Sequence, residues 1–293
     1  MELRVTPVGL VFGLVTLLTL ASPAPHAQQS LNPPAVKSPR LYVLDCGVLV
    51  RGEPRAYNLT TEQVGGNTNF SDACFFVVHP RGTLLWDVGI IPDAQITPGG
   101  VEIQTGRGGT SNKASKTLTG QLAAIGYRPK DITYLAVSHG HADHVANAND
   151  YAGSTWLVQR AERDNMFSDQ ARKQPAFETY SALENSKTTV LDGDFDVFGD
   201  RTVTLVSTPG HTPGHQSLMV SLQNTGTIVL TGDLYHYAAE RTLKTLPNGD
   251  NKELTAASRA KVEELLKKPR TQLWIQHDIV GNSKLKKAPA FYD

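Results

Sequence analysis

The stretch "SHGHADH", residues 138–144, decides how the rest of this chain is read. It places His139, His141, Asp143 and His144 within six consecutive positions. Imidazole and carboxylate groups are costly to remove from water unless something pairs with them. A divalent cation pairs with all four at once, and neutral imidazole nitrogen and carboxylate oxygen at about 2.0–2.2 Å are ordinary donors to zinc. Two residues apart in an extended loop, His139 and His141 can grasp one cation. Asp143 and His144, entering the next helix, turn toward a second.

Outward from that stretch, runs rich in Val, Leu, Ile and Thr predict strands at residues 41–50, 73–78, 83–86, 132–138, 155–159, 188–191, 202–207, 217–222, 227–231 and 272–276. Helices are expected at 116–125, 145–151, 161–169 and 254–268, the last with Val262, Leu265 and Leu266 on one face and Pro269 as a stop. Many strands with interspersed helices imply two sheets packed face to face with helices outside. Three more donors follow separate predicted strands: His211 after 202–207, Asp233 after 227–231 and His277 after 272–276. Loops leaving the same end of a rigid scaffold can bring such residues to one point.

At the amino terminus, Arg4 precedes an apolar run at 8–20 and a small-residue stretch at 21–27 that contains Pro23 and Pro25. This is a secretory signal peptide in outline, and the run is shorter than the roughly 20 apolar residues of a spanning helix. The expected organisation is a signal peptide at 1–27, a proline-rich leader at 28–40 and a single domain at 41–293. The mature chain is expected in the periplasm or outside a bacterial cell, with no stable membrane insertion. Lys plus Arg and Asp plus Glu both number 28, and this balance argues against a nucleic-acid partner. Cys46 and Cys74 fall in separate predicted strands, as a disulfide or as two buried thiols. Nothing in the sequence sets an oligomeric state.

Four segments, "SHGHADH", "TPGHTPGHQSL" at 208–218, "LTGD" at 230–233 and "IQHD" at 275–278, together resemble the metallo-β-lactamase superfamily, and specifically its N-acyl homoserine lactonase branch. "LLWDVGI" at 84–90 resembles the strand and turn before the metal loop in that family. The resemblance implies an α/β (α+β) fold, a four-layer αββα sandwich, holding two Zn2+ ions. His139, His141 and His211 would bind one ion, Asp143, His144 and His277 the other, and Asp233 would bridge them. A bridging hydroxide would then open the lactone ring of a small ester substrate, with Asp143 or Asp233 moving a proton. Interference with acyl homoserine lactone signals is the purpose the family suggests.

His215 lies outside that ligand set and is expected to be a buried, hydrogen-bonded histidine. Asp87 is expected either to orient a ligand histidine or to be a strand-end turn residue. In lactonases of this branch a tyrosine three residues after the bridging aspartate reaches the substrate carbonyl. Here that position is His236, flanked by Tyr235 and Tyr237, so His236 and Tyr235 are the candidate helpers. Substrate selection is expected from the long stretches 91–115 and 235–251. Phosphotriesterase-like and β-lactamase-like hydrolases of the same fold are the rival activities, and a non-catalytic metal-binding module is the remaining alternative.

Overall fold

The computed structural model describes residues 1–3, 35–106 and 109–293. The apolar run of the expected signal peptide and most of the proline-rich leader lie outside the described residues. Among those residues no helix is long and apolar enough to cross a membrane.

In β1 (Arg40–Val50) and β2 (Phe70–His79) successive side chains point to opposite faces. Leu41, Val43, Phe75 and Val77 face one core, whereas Tyr42, Leu44, Cys74 and Phe76 face another. Both faces are therefore covered, and this is why these strands read as nearly continuous apolar runs rather than as an alternation. Around them assemble β3 (Gly82–Trp86), β4 (Val101–Gln104), β5 (Ser111–Ala114), β6 (Tyr134–Ala136), β7 (Thr155–Gln159) and β8 (Thr188–Leu191), in the order β4-β5-β1-β2-β3-β6-β7-β8. A second sheet has β9 (Phe195–Asp196), β10 (Val203–Ser207), β11 (Gln216–Leu222), β12 (Gly226–Leu230) and β13 (Thr271–Trp274), in the order β13-β12-β11-β10-β9.

Between the sheets lies the core of Leu41, Val43, Phe75, Trp86, Leu205, Leu218, Val220 and Ile228. The outer face of the large sheet is covered by α1 (Leu118–Ala124), α2 (Ala142–Val145), α3 (Arg160–Met166) and α4 (Phe177–Tyr180), which contribute Leu118, Leu122, Val145, Met166 and Tyr180. The small sheet has a short helix, α5 (Ala238–Leu243), after β12, and a long one, α6 (Lys252–Leu266), whose Val262 and Leu266 pack on Val229 and Leu273. A last turn, α7 (Ile279–Ser283), follows β13. The layers run helix, sheet, sheet, helix, as expected.

Three details depart from the sequence expectation. The helix expected at 145–151 is instead the single turn α2 followed by a 3-10 turn, Ala148–Tyr151. Asn147 interrupts it because its side chain is engaged elsewhere, donating to the Val88 and Ile91 carbonyls and accepting from the Asp93 N–H. The stretch 91–115 contains the hairpin β4–β5, which extends the large sheet beside β1. VEIQ alternates over only four residues inside a glycine-rich stretch, and SNKA has no apolar alternation, so neither marks a strand by itself. Finally, β9 is only two residues long and pairs with β10 through Asp196 and Phe195.

Cys46 of β1 is disulfide-bonded to Cys74 of the adjacent strand β2, across 28 residues of sequence. Closing a loop of that length stabilises the fold by roughly 3–4 kcal/mol on a chain-entropy basis. The Cys46→Ser, Cys74→Ser double variant should therefore melt roughly 6–15 °C below the parent, for a domain of this size. Differential scanning calorimetry checks this, and a Tm unchanged within about 2 °C would show that the bond adds nothing to stability.

Candidate metal centre

In the small sheet β10 and β12 run the same way on either side of antiparallel β11, and β13 is parallel to β12. The loops that leave β10, β12 and β13 thus open at one edge. The loop after β6 meets them there, tied across by the Gln216 N–H donating to the Ser138 carbonyl at 2.9 Å. The result is two groups of donors: His139, His141, His211 and Asp233 in one, and Asp143, His144 and His277 in the other. Within each group the donor atoms lie within 4.8 Å of one another.

Several of the imidazoles are locked from behind. His211 Nδ1 lies 2.9 Å from Asp250 Oδ1, His144 Nδ1 lies 3.0 Å from Asp87 Oδ2, and His277 Nδ1 lies 2.9 Å from the Ser71 carbonyl. Ionised carboxylates and carbonyls only accept, so each Nδ1 must donate. In the neutral ring the opposite nitrogen, Nε2, is left as a lone pair facing the cluster. Ligand histidines are commonly oriented in this way.

His139 Nε2 and His211 Nε2 lie 2.8 and 3.0 Å from His141 Nδ1. A single proton on His141 Nδ1 can be given to only one of them. Two donors held tetrahedrally by one zinc are about 3.3 Å apart, so the observed spacing is slightly tight but close to that of a ligand set. Asp233 stands between the groups. Its Oδ1 is 3.0 Å from His277 Nε2 and 3.1 Å from His144 Nε2, and its Oδ2 is 3.3 Å from His211 Nε2 and 3.7 Å from His139 Nε2. His144 Nε2 and Asp233 Oδ1 are both buried without a hydrogen bond. A buried polar atom in that condition is expensive unless something else satisfies it. The donor set and these orphaned atoms fit a metal site.

The electrostatics agree. Burial, reinforced by neighbouring His144 and His141, holds His139 well below the ordinary imidazole range and keeps it neutral. At His144, burial opposes charge, but the carboxylates of Asp233, Asp87 and Asp143 outweigh it and favour the cationic form. The centre therefore attracts positive charge, and a cation would compete with a proton for His144 Nε2.

Surrounding residues fix this geometry. Asp87, at φ 54°, accepts from the Ser138 N–H at 2.6 Å and holds His144, so it is the orienting carboxylate rather than a mere turn residue. His215 receives the Asp233 N–H on Nε2 at 3.0 Å and donates from Nδ1 to Thr208, and burial pushes its pKa down to about 3. Glu162, 1% exposed on α3, accepts from the Gly140 N–H, the Thr212 hydroxyl and the Gly214 N–H. One carboxylate thereby clamps the loop of His139 and His141 to the loop of His211. The second loop approaches α3 so closely that a Cβ at Gly214 would come within 2.1 Å of the Glu162 nitrogen. Glu162 and Asp250 gave no sequence signal. Glu162 reads as a surface position of a charged helix, and Asp250 lies 39 residues from its partner His211.

A cavity of about 710 Å³ opens on the centre. It is lined by His141, Asp143, His211, Asp233, His236 and His277, by Arg51, Tyr57 and Phe70, and by residues between Asn165 and Tyr180. The described residues of 91–115 contribute nothing to this lining, and of 235–251 only His236 does. The expectation that those two stretches select substrate is therefore corrected in favour of the α3–α4 segment and the turn after β1.

Tyr235 is a second correction. Its ring lies 4.2 Å from the Arg259 guanidinium and its hydroxyl donates to Glu263 in a separate pocket. The Gly232–Leu234 turn and the extended backbone at Tyr235 place this side chain on the α6 side. His236 does reach the centre, with Nε2 3.1 Å from Asp233 Oδ2.

Removing the clamp should loosen both loops. Glu162→Ala is expected to weaken affinity for added divalent metal by about 10–100-fold with the fold retained, and Glu162→Gln to fall between it and the parent. Competitive chelator titration measures this, and parental affinity in Glu162→Ala would refute the clamp.

The chain matches the family model of the metallo-beta-lactamase superfamily over residues 68–273. It is 30% identical to N-acyl homoserine lactonase AttM of Rhizobium radiobacter, covering 86% of this chain and 98% of that one. It is 28% identical to the protein of the same name from Azorhizobium caulinodans, over 87% and 98% of the two chains. Among solved structures, an N-acyl homoserine lactone hydrolase with N-hexanoyl-L-homoserine at its catalytic metal centre superposes with a TM-score of 0.71 at 24% identity, over 86% of this chain and 98% of that one. On the family match and the relatedness to these proteins, the chain belongs to the metallo-β-lactamase superfamily.

Proposed function

We propose that this protein is a metal-dependent hydrolase that opens the lactone ring of N-acyl homoserine lactones, using two zinc ions. The observation that carries this reading is the convergence of seven imidazole and carboxylate donors, of which His141, Asp143, His211, Asp233 and His277 line a cavity of about 710 Å³. The similarity to proteins named as lactonases supports the substrate class. His139, His141 and His211 would hold one ion and Asp143, His144 and His277 the other, with Asp233 between them. Bound there, the metals would supply a Lewis acid for the ester carbonyl and a water acidified toward neutral pH.

The chain's own groups do the rest. Asp233, gripped by His215 through its backbone and by His236 through its carboxylate, cannot rotate away from the reacting centre. Asp143 Oδ2, 3.7 Å from His277 Nε2, lines the cavity and is placed to carry a proton to the departing ring oxygen. Met166, Ala171, Ala176 and Tyr180 offer apolar surface to an acyl chain, while Asn165, Ser168, Gln170 and Gln174 supply partners for its amide.

Export accompanies this reading. It is supported by the signal-like leader and by the Cys46–Cys74 disulfide, a bond that persists in oxidising compartments.

Zinc-loaded protein assayed with acyl homoserine lactones of several chain lengths, an aryl phosphotriester and a β-lactam should give the highest kcat/KM on a lactone. A higher value on the phosphotriester or the β-lactam would displace the lactone assignment. Asp233→Asn should lose bound zinc and activity together, read by elemental analysis and the same assay. Parental zinc content with full turnover in that variant would defeat the bridging role.

A further inference from the structure

Four tyrosines stand near enough to the centre to be weighed as hydrogen-bond donors to substrate, and three are already committed. Tyr235 donates to Glu263, Tyr237 to the Thr68 carbonyl at 2.9 Å, and Tyr180 to the Met166 carbonyl at 3.2 Å. Tyr57 is the exception. Its hydroxyl makes no hydrogen bond to another side chain or backbone group among the described residues, and it lines the cavity beside Asp143, Asp233 and His277.

Its ring is held on three sides: 4.5 Å from His236, 5.5 Å from Phe70 and 5.4 Å from Tyr237, the last two edge-on. The backbone is fixed as well. Tyr57 ends the 3-10 turn Pro54–Tyr57, and the next residue, Asn58, adopts a left-handed conformation at φ 55°. The Asn58 amide donates to the Leu246 carbonyl and to Asn248 Oδ1, while the Asn248 N–H donates to the Ala56 carbonyl. This clasp joins the turn after β1 to the loop that carries Asp250, the carboxylate behind His211.

We infer that Tyr57 is the hydroxyl donor that stabilises the substrate oxyanion, supplied from the turn after β1 rather than from the position now filled by His236. The inference rests on the lactone-opening reading. His236 cannot take that role while its Nε2 is engaged with the Asp233 carboxylate, and it serves to position Asp233 instead. In the reaction, water adds through its oxygen to the lactone carbonyl carbon and gives up a proton to a carboxylate of the site. The carbonyl π pair moves to oxygen, and the Tyr57 O–H donates a hydrogen bond to that oxyanion without transferring its proton. The oxyanion pair then reforms the carbonyl, the ring C–O bond breaks, and the leaving alkoxide takes the proton. Burial raises the Tyr57 phenol above its ordinary range.

The test compares wild type, Tyr57→Phe and Tyr237→Phe, all zinc-loaded, on hexanoyl homoserine lactone and on p-nitrophenyl acetate. Zinc content and affinity for a tetrahedral phosphonate mimic of the lactone adduct are measured alongside. Tyr57→Phe keeps the ring and should lose about 10- to 1000-fold in kcat, with KM within about threefold, zinc content unchanged and phosphonate binding weakened by a similar factor. Tyr237→Phe should stay within about twofold of wild type, as expected for a hydroxyl outside the reacting centre. Wild-type turnover by Tyr57→Phe, or a loss of kcat that tracks lost zinc, overturns the assignment. A wild-type enzyme that cleaves the aryl ester but no lactone ends the lactone reading alone, and Tyr57 is then judged on the aryl ester and the phosphonate.

Discussion

The centre depends on a shortage of protons. Around Asp233, the nitrogens of five histidines approach one another and the carboxylate at 2.8–3.7 Å. For His211, His144 and His277, the ring nitrogen that could carry a proton is already turned outward to a fixed acceptor. In the neutral rings lone pairs therefore face one another around Asp233, and despite burial the nearby carboxylates draw His144 and His211 toward their charged forms. Such a cluster resists burial unless positive charge is supplied, and bound metal would supply it. Much of the neighbouring architecture can be understood as keeping those outward bonds intact: Asp87 at the end of β3, the Ser71 carbonyl on β2, and Asp250 before α6.

Most of this was written in local sequence, and the reason is geometric. Each donor lies within a few residues of a strand end, and the strands announce themselves by their apolar content. His139 and His141 share the loop that leads into Asp143 and His144, His211 and Asp233 each follow a Val- and Leu-bearing strand, and His277 follows the short strand TQLW. The layer order could be read for the same reason, since β1 and β2 are apolar on both faces. Legibility failed wherever a tertiary partner decided the outcome. Asn147 breaks a helix because the 88–93 loop claims its side chain. β5 is a strand because β1 offers it an edge, which SNKA does not announce, and the short VEIQ of β4 pairs in turn with β5. Tyr235 was a candidate because it flanks His236, at the position where the resembled family has a tyrosine, yet the chain direction there sends it toward Arg259.

The roles of Glu162, Asp250 and Tyr57 exist only in three dimensions. Glu162 is one of several charged residues in RAERDNM, and nothing in that string marks it as nearly inaccessible. Its burial is tolerated because three donors converge on it, although burial still pushes its pKa upward. His236 shows a related effect. Its backbone N–H donates to Glu240, which is paired with buried Arg259, so the imidazole beside Asp233 is braced from the α6 side of the molecule.

Helix α3 has two duties that sequence variation cannot easily separate. Glu162 on its inner face ties the ligand loops together, and one turn later Met166 and the residues after it form the wall where an acyl group would lie. Repacking this helix around a longer or bulkier group would therefore loosen the tie between the loops that carry His139, His141 and His211. Ser168, Gln170, Ala171, Gln174 and Ala176 line the same cavity beyond that tie, so the wall can be reshaped there with the clamp left whole.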